Sequence, residues 1–424
     1  MLQYSMQCEH RNSSEVNRKT KQNLMLIYEY KVDGSKKQYT AIDEAIRVCQ
    51  FIRNKCLRLW MNERGISKND LQVYCAVLAK EYPFATRLNS QARQASADRT
   101  WLAISRFYDN CKQKKPGKKG YPKFQHDNRS VEYKTTGWKR APDGKHITFT
   151  DGCGIGLLRL VGNPNQRIES FPTKQIKRVR ILHRADGYYV QFAVQANRSI
   201  EHLPTGKAVG IDVGLKAYYT DSEGHTIENP RHYRQAEKQL KRLHRQLSRK
   251  QKKSSNRKKA RKHVAKAYLR VQRQREDFAR KTASALVSSH DLIAYEQLQI
   301  RNMVKNHHLA KSIHDAGWGT FLSWVKAYGQ MHGIPVIAVT PQFTSQDCSA
   351  CGTLVKKSLS VRTHICTGCG VVLDRDQNAA LNILAKALDR TLGHRETDEI
   401  CSSNASGQTA STRLSQRKTS KRIG

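Results

Sequence analysis

The chain has 424 residues, with 76 Lys or Arg against 35 Asp or Glu, a formal net charge of +41. So large a surplus points to an anionic polymer as partner, because neutralised phosphates release counterions and supply affinity. The longest apolar runs, near Leu292 and Val336, are too short to span a membrane, no secretory signal pattern is present, and 11 cysteines in so long a chain do not make a disulfide framework, which leaves a cytosolic nucleic-acid protein.

Residues 1–24 are polar and aperiodic and read as a disordered leader. Met25 to Val32 alternates like a strand and ends at the turn signal Asp33-Gly34. From Thr40 to Asn62, Ile42, Ala45, Ile46, Cys49, Ile52, Cys56 and Leu57 recur at helical spacing. A second helix is expected from Gln91 to Asn110, with Trp101, Ile104 and Tyr108 on its apolar face, followed by a basic Gly/Pro loop from Lys112 to Phe124. Between 130 and 197, Asp143-Gly144, Asp151-Gly152 and Asp186-Gly187 punctuate short strands, predicting a small β-barrel or sandwich. Pro204-Thr205-Gly206 reads as a linker, Ala208 to Val213 as a buried strand, and Ser222-Glu223-Gly224 as a turn into a strand near Ile227.

Residues 231–280 carry twenty Lys or Arg against three acids, on two long helices broken at Ser254-Ser255-Asn256. That exceeds what solubility requires. Leu292 to Tyr295 reads as a strand, Phe321 to His332 as a helix and Pro335 to Thr340 as a strand. The Ser/Thr/Arg-rich tail after 390 reads as unfolded.

Cys348-x-x-Cys351 and Cys366-x-x-Cys369 have the spacing of two knuckles that close a tetrahedral zinc site, each followed by a glycine for the tight turn. Four thiolates leave no open position, so this zinc is expected to be structural. Three carboxylates end apolar runs or open a helix: Asp212 in Gly210-Ile211-Asp212-Val213-Gly214-Leu215, Glu296 after Leu292-Ile293-Ala294-Tyr295, and Asp376 ahead of the helix from Asn378 to Leu388. A buried strand-end carboxylate is costly unless paired or metal-bound, and three of them could converge on two Mg²⁺ ions. Gly210 and Gly214 would let backbone and substrate approach closely. Singly, each acid reads equally as a turn former, and Asp376 as an N-cap. Gly-Ile-Asp-Val-Gly is also similar to a strand of actin-like ATPases, but no further Gly-rich nucleotide loop follows it.

These residues resemble the TnpB (OrfB) family of transposon-encoded RNA-guided nucleases, similar to type V CRISPR effectors. The resemblance covers roughly residues 25–390. It rests on the Gly210–Leu215 segment, Tyr295-Glu296-Gln297-Leu298, Thr344-Ser345-Gln346-Asp347-Cys348-Ser349-Ala350-Cys351-Gly352, and Asp374-Arg375-Asp376-Gln377-Asn378-Ala379-Ala380. Gly317-Trp318-Gly319 with Phe321, Tyr39-Thr40 and Gly120-Tyr121-Pro122-Lys123-Phe124 fit it less specifically.

The resemblance implies an α/β multidomain fold: an RNase H-like (RuvC) nuclease domain with an inserted Cys₄ zinc ribbon, preceded by a small β-barrel wedge with a helical recognition insertion. The expected boundaries are a first wedge strand at 25–38, recognition helices at 39–125, the wedge at 126–203, nuclease parts at 204–343 and 373–390, the ribbon at 344–372 and a disordered tail at 391–424. Asp212, Glu296 and Asp376 would hold Mg²⁺, with Asp374 in support, and the four cysteines structural Zn²⁺. The implied partners are a guide RNA derived from the element and a double-stranded DNA target cut beside a short adjacent motif. No membrane partner is expected; a monomer is favoured, in a prokaryotic cytoplasm. The obvious grips on phosphates are Lys118, Lys119 and Lys123 in the loop, and Lys241, Arg242, Arg245, Lys258, Lys259 and Arg261 on the basic helices; Tyr121 and Trp138 stack on bases or pack internally. The competing readings are a non-cleaving zinc-ribbon protein regulating transposition and a transposase acting on element ends.

Overall fold

The computed structural model describes residues 24–114, 116–162, 168–196, 199–358 and 360–403; the expected leader, up to residue 23, and residues 404–424 of the expected tail lie outside them. The chain divides into two compact units, one of residues up to Arg198 with Lys250–Lys266, the other of Ser199–Arg249 with residues from Ala267 on.

The first unit contains β1 (Leu24–Asp33), four helices, α1 (Lys36–Asn62), α2 (Lys68–Glu81), α3 (Pro83–Thr86) and α4 (Ser90–Lys112), and then β2 (Ser130–Tyr133), β3 (Trp138–Arg140), β4 (His146–Phe149), β5 (Gly156–Val161), β6 (Ile176–Arg184) and β7 (Gly187–Ala196). The seven strands form one sheet in the order β2-β6-β7-β1-β5-β4-β3. All neighbours are antiparallel, and the three Asp-Gly pairs stand in the β3–β4, β4–β5 and β6–β7 connections. Among the described residues no ladder joins β2 to β3.

Helix α1 starts earlier than its apolar stripe, at a capping box in which Ser35 and Gln38 satisfy each other's backbone N–H groups. Its buried face (Ile42, Ile46, Cys49, Ile52, Cys56) joins Val131, Ile181 and Phe192 of the sheet in one core. Trp138 lies in that core, 6% exposed, and donates its indole N–H to the Lys134 carbonyl; it is packing, with no face left for a base. Glu132 on β2 is 2% exposed. It is held by Arg178 (2.5 Å) and Arg180 (Nε to Oε2, 2.9 Å) from β6.

The second unit contains β8 (Ala208–Val213), β9 (Ala217–Asp221), β10 (Thr226–Glu228), α5 (His232–Ser248), the C-terminal part of α6 (Ser255–Ser288), β11 (Leu292–Glu296), α7 (Ile300–Met303), α8 (His307–Ala316), α9 (Trp318–His332), β12 (Val336–Val339), β13 (Thr363–Ile365), β14 (Val372–Asp374) and α10 (Arg375–Ser403). Its main sheet runs β10-β9-β8-β11-β12, antiparallel from β10 to β8 and parallel from β8 to β12. Side chains alternate across a strand. Val209, Ile211, Val213, Ile293 and Tyr295 therefore face one way, into a core with Ala283 and Val287 of α6 and Phe321 and Val325 of α9. Ala294 and Val339 face the other way, onto Ile383 and Ala387 of α10. Helix α10 continues to Ser403, past the expected boundary at 390; no proline interrupts it there.

Candidate active site and metal centre

The alternation that sends Val209, Ile211 and Val213 to one face of β8 sends Gly210 and Asp212 to the other, under α10. A Cβ on Gly210 would stand 2.1 Å from the Ala380 carbonyl oxygen. The glycine lets the backbone of the helix lie on the strand, which is the backbone approach expected from the sequence at this position. On β11 the same parity puts Ala294 and Glu296 on the α10 side. Parallel pairing (Ala294 with Gly210, Tyr295 with Ile211) then brings Asp212 and Glu296 to neighbouring strand ends. Asp376 is in the first turn of α10. It does not cap that helix: Asp374 does, its Oδ1 accepting from the N–H groups of Asp376 (2.8 Å) and Gln377 (3.4 Å).

All three acids are half-buried, and Asp212 senses the other two. Burial raises the Asp212 carboxyl well above its usual range, and the charges of Glu296 and Asp376 raise it further, with Arg375 opposing. Glu296 is likewise raised by burial, against a hydrogen bond donated by Thr344 and the nearby charge of Lys386. Asp376 is met by Arg375 at 2.9 Å and by Arg362, from the loop before β13, at 3.5 Å.

Two asparagines one turn apart on α10 tie this site to the segment leading into the cysteine knuckles. Asn378, fully buried, donates to the Asp347 carbonyl (2.8 Å) and accepts from the Ser349 N–H (3.0 Å). Asn382 donates to the carbonyls of Thr344 (2.8 Å) and Asp347 (2.7 Å). Thr344, fixed in this way, holds Glu296. The sequence marks Thr344, Arg375 and Asn378 only as motif letters; Asn382 and Arg362 carry no signal of their own.

The four cysteines do converge. Among the described residues they are the only group of three or more candidate ligands whose donor atoms all lie within 4.8 Å of one another. The Sγ atoms of Cys348 and Cys369 are 3.6 Å apart, and those of Cys351 and Cys366 3.5 Å, near the edge of about 3.8 Å that a tetrahedron with 2.3 Å Zn–S bonds requires. Gly352 and Gly370 take φ +75° and +74°, which a side chain would disfavour. Their N–H groups bond back to the carbonyls of Cys348 and Cys366 (2.9 and 3.0 Å), closing each knuckle. The donor set suits zinc. The carboxylates offer only oxygen, which suits a hard cation such as Mg²⁺, and their spacing is wider.

Of the residues expected to grip phosphate, Lys118, Lys123, Lys241, Arg242, Arg245, Lys258, Lys259 and Arg261 are exposed and Lys119 is half-buried. Lys241 is engaged by Glu237 at 3.0 Å. Tyr121 is 53% exposed and packs edge-on to Phe107.

Comparison with known proteins adds independent support. Residues 191–307 match the OrfB_IS605 family model, described as "Probable transposase", and residues 318–383 match the Cas12f1-like TNB domain. A "Putative RNA-guided DNA endonuclease" of Streptomyces pristinaespiralis is 38% identical over 186 residues, 43% of this chain and 46% of the relative. The Escherichia coli K12 protein of that description, InsQ, is 31% identical over 50% of this chain and 57% of its own length. The match thus spans about half the length of these relatives. Solved structures titled as a Cas12f1-sgRNA-target DNA complex (TM-score 0.51, 13% identity, 82% of each chain) and as the mini-RNA-guided endonuclease CRISPR-Cas_phi3 (0.54, 10%, 86% of this chain and 92% of that one) share the fold. The resemblance to the TnpB (OrfB) family read from the motifs is borne out.

Proposed function

We propose that the chain is an RNA-guided, Mg²⁺-dependent DNA endonuclease of a transposable element. The observation that carries this is the grouping of Asp212 and Glu296, under α10, with Asp376 at the start of that helix, in a chain of charge +41. A half-buried cluster of like charges is expensive, and a divalent cation offsets it. Magnesium bound there supplies stabilisation of the attacking and leaving oxygens of a phosphodiester. The chain's own part is to hold the oxygens: β8 fixes Asp212, Thr344 orients Glu296, and Asp374 orders the turn carrying Asp376.

On this reading the five-stranded sheet with α6, α9 and α10 is a RuvC-type, RNase H-like domain, and the cysteine knuckles are a zinc ribbon inserted just before Asp376. The seven-stranded sheet and α1–α4 are the wedge and recognition parts, which hold guide RNA and read the motif beside the target. Sequence is then read by base pairing, while exposed lysines and arginines grip phosphates. Among the described residues no helix is long and apolar enough to cross a membrane, in keeping with a cytoplasmic protein.

The test is to purify the protein from cells carrying its own locus, sequence the RNA that accompanies it, and supply DNA matching the variable end. One abundant RNA of defined ends and Mg²⁺-dependent cutting of the matching duplex are expected. Heterogeneous RNA and no cutting would refute the proposal.

A further inference from the structure

Next to the carboxylates lies a cleft of about 730 Å³ with Asp374 and Asp376 in its wall. The wall also holds Lys216, from the β8–β9 turn, and Arg231 and Arg234, from the start of α5. These three, with Asn229, also line an adjoining hollow of about 490 Å³ that reaches Ser312 and Asp315 of α8. A cationic path therefore leads away from the acids; the other acids in its walls are Glu228, on the first cleft, and Asp315, on the second.

The path is built rather than incidental. Arg231 has φ 49° and ψ 46°, a left-handed conformation that costs a non-glycine residue energy and tends to mark functional positions. Asn229 secures it: its Oδ1 accepts the Arg231 N–H (3.2 Å), while its Nδ2 donates to the Leu215 carbonyl (3.2 Å), beside Lys216. Asp315, 6% exposed, spends both oxygens on the backbone N–H groups of Tyr233 (2.8 Å) and Arg234 (3.0 Å), pinning the start of α5. The Arg234 guanidinium donates to Ser312 Oγ (3.1 Å) and meets Glu237 at only 3.8 Å. Among the described residues Lys216 and Arg231 make no ion pair, and both are exposed. Three cations on a held backbone, two of them without an ion pair among the described residues, on a path that ends at Asp376, suit a chain of phosphates.

We infer that Lys216, Arg231 and Arg234 are positioning residues that hold the backbone of a single DNA strand as it enters the carboxylate site. The inference rests on the nuclease reading, since it takes the strand to be the one cut. Its test does not depend on cutting. In the full-length Asp212→Asn protein, binding of a mixed-sequence single-stranded DNA oligonucleotide is measured against salt. One lost single-strand phosphate contact removes about 0.7 from the slope of log K against log salt, or about fivefold in affinity at 0.1 M. Arg231→Asn, which tolerates the left-handed backbone, and Lys216→Gln should each do this with unchanged melting, and Arg231→Lys should restore the slope. A photocrosslinker at Thr226, in the same cleft, should label the DNA. Unchanged slopes in both variants, or a crosslink to co-purified RNA instead, would overturn the inference. If the DNA binding and crosslinking hold but the wild-type protein, loaded with its co-purified RNA and Mg²⁺, never cuts, the nuclease reading alone is refuted.

Discussion

Two sheets of this molecule each carry a carboxylate inside, and they resolve the cost in opposite ways. Glu132 on β2 is more buried than Asp212, and burial alone would raise its carboxyl. Arg180 and Arg178 outweigh that and hold it below its usual range. Asp212 on β8 is raised by burial and further by three acids, Glu296, Asp376 and Asp374, against one opposing arginine, Arg375. The first arrangement is complete as it stands. The second is left with surplus negative charge, which is what a metal-dependent site requires. Partners, rather than burial, separate the two carboxylates here, and on the proposed reading the uncompensated one is the metal ligand. The cysteines are a third case: four thiols lie within 4.8 Å of one another, a donor set that suits zinc.

If this is right, the largest loss of stability comes from the thiols. Cys366→Ser should release the zinc, whose binding supplies on the order of 10 kcal/mol in isolated zinc modules; metal analysis should find none, and proteolysis should nick the ribbon. Glu132→Ala removes the acid between two arginines that remain partly solvated and should cost about 1–3 kcal/mol of unfolding free energy by denaturant titration. Thr344→Val removes the hydroxyl that holds Glu296 and should slow cleavage about 10- to 100-fold without changing DNA binding, the scale for groups that orient metal ligands. Gly210→Ala pushes α10 off β8 and should cost about 1–3 kcal/mol. The smallest effect is in pH. Because the folded state lowers the Glu132 carboxyl, its pairing stabilises above the ordinary carboxylate range and is lost as pH falls through the lowered value. The stability gap between wild type and Glu132→Gln should therefore narrow in acid; a constant gap would show that the arginines do not set it.

Much of this was legible in the sequence where the signal is local. β8 falls at 208–213 as read, β1, β11 and β12 fall within a residue or two of their expected limits, and the Asp-Gly pairs mark real strand connections. Helix α2 was missed because its buried Leu71, Cys75 and Leu78 share the helix with exposed Val73 (67%) and Val77 (49%), which blurs the stripe. The Ser67–Asp70 capping box was its available signal. Within the site, the acids could be named because each ends or opens an element. The group orienting Glu296 could not: Thr344 lies 48 residues away, and only the packing of α10 and the asparagines on it brings the two together. The Asp376–Arg375 contact was equally hidden, since a basic neighbour in sequence says nothing about where its side chain turns.

The most direct measurement is guided cleavage by wild type and Asp212→Ala, each loaded with the RNA that co-purifies with it, in the presence and absence of Mg²⁺. Rate loss on the order of a thousandfold or more in the variant, with zinc content, melting and DNA binding unchanged, is the expected result. Undiminished cutting by Asp212→Ala would contradict the account, because the acid that the fold leaves uncompensated would then have no part in the chemistry.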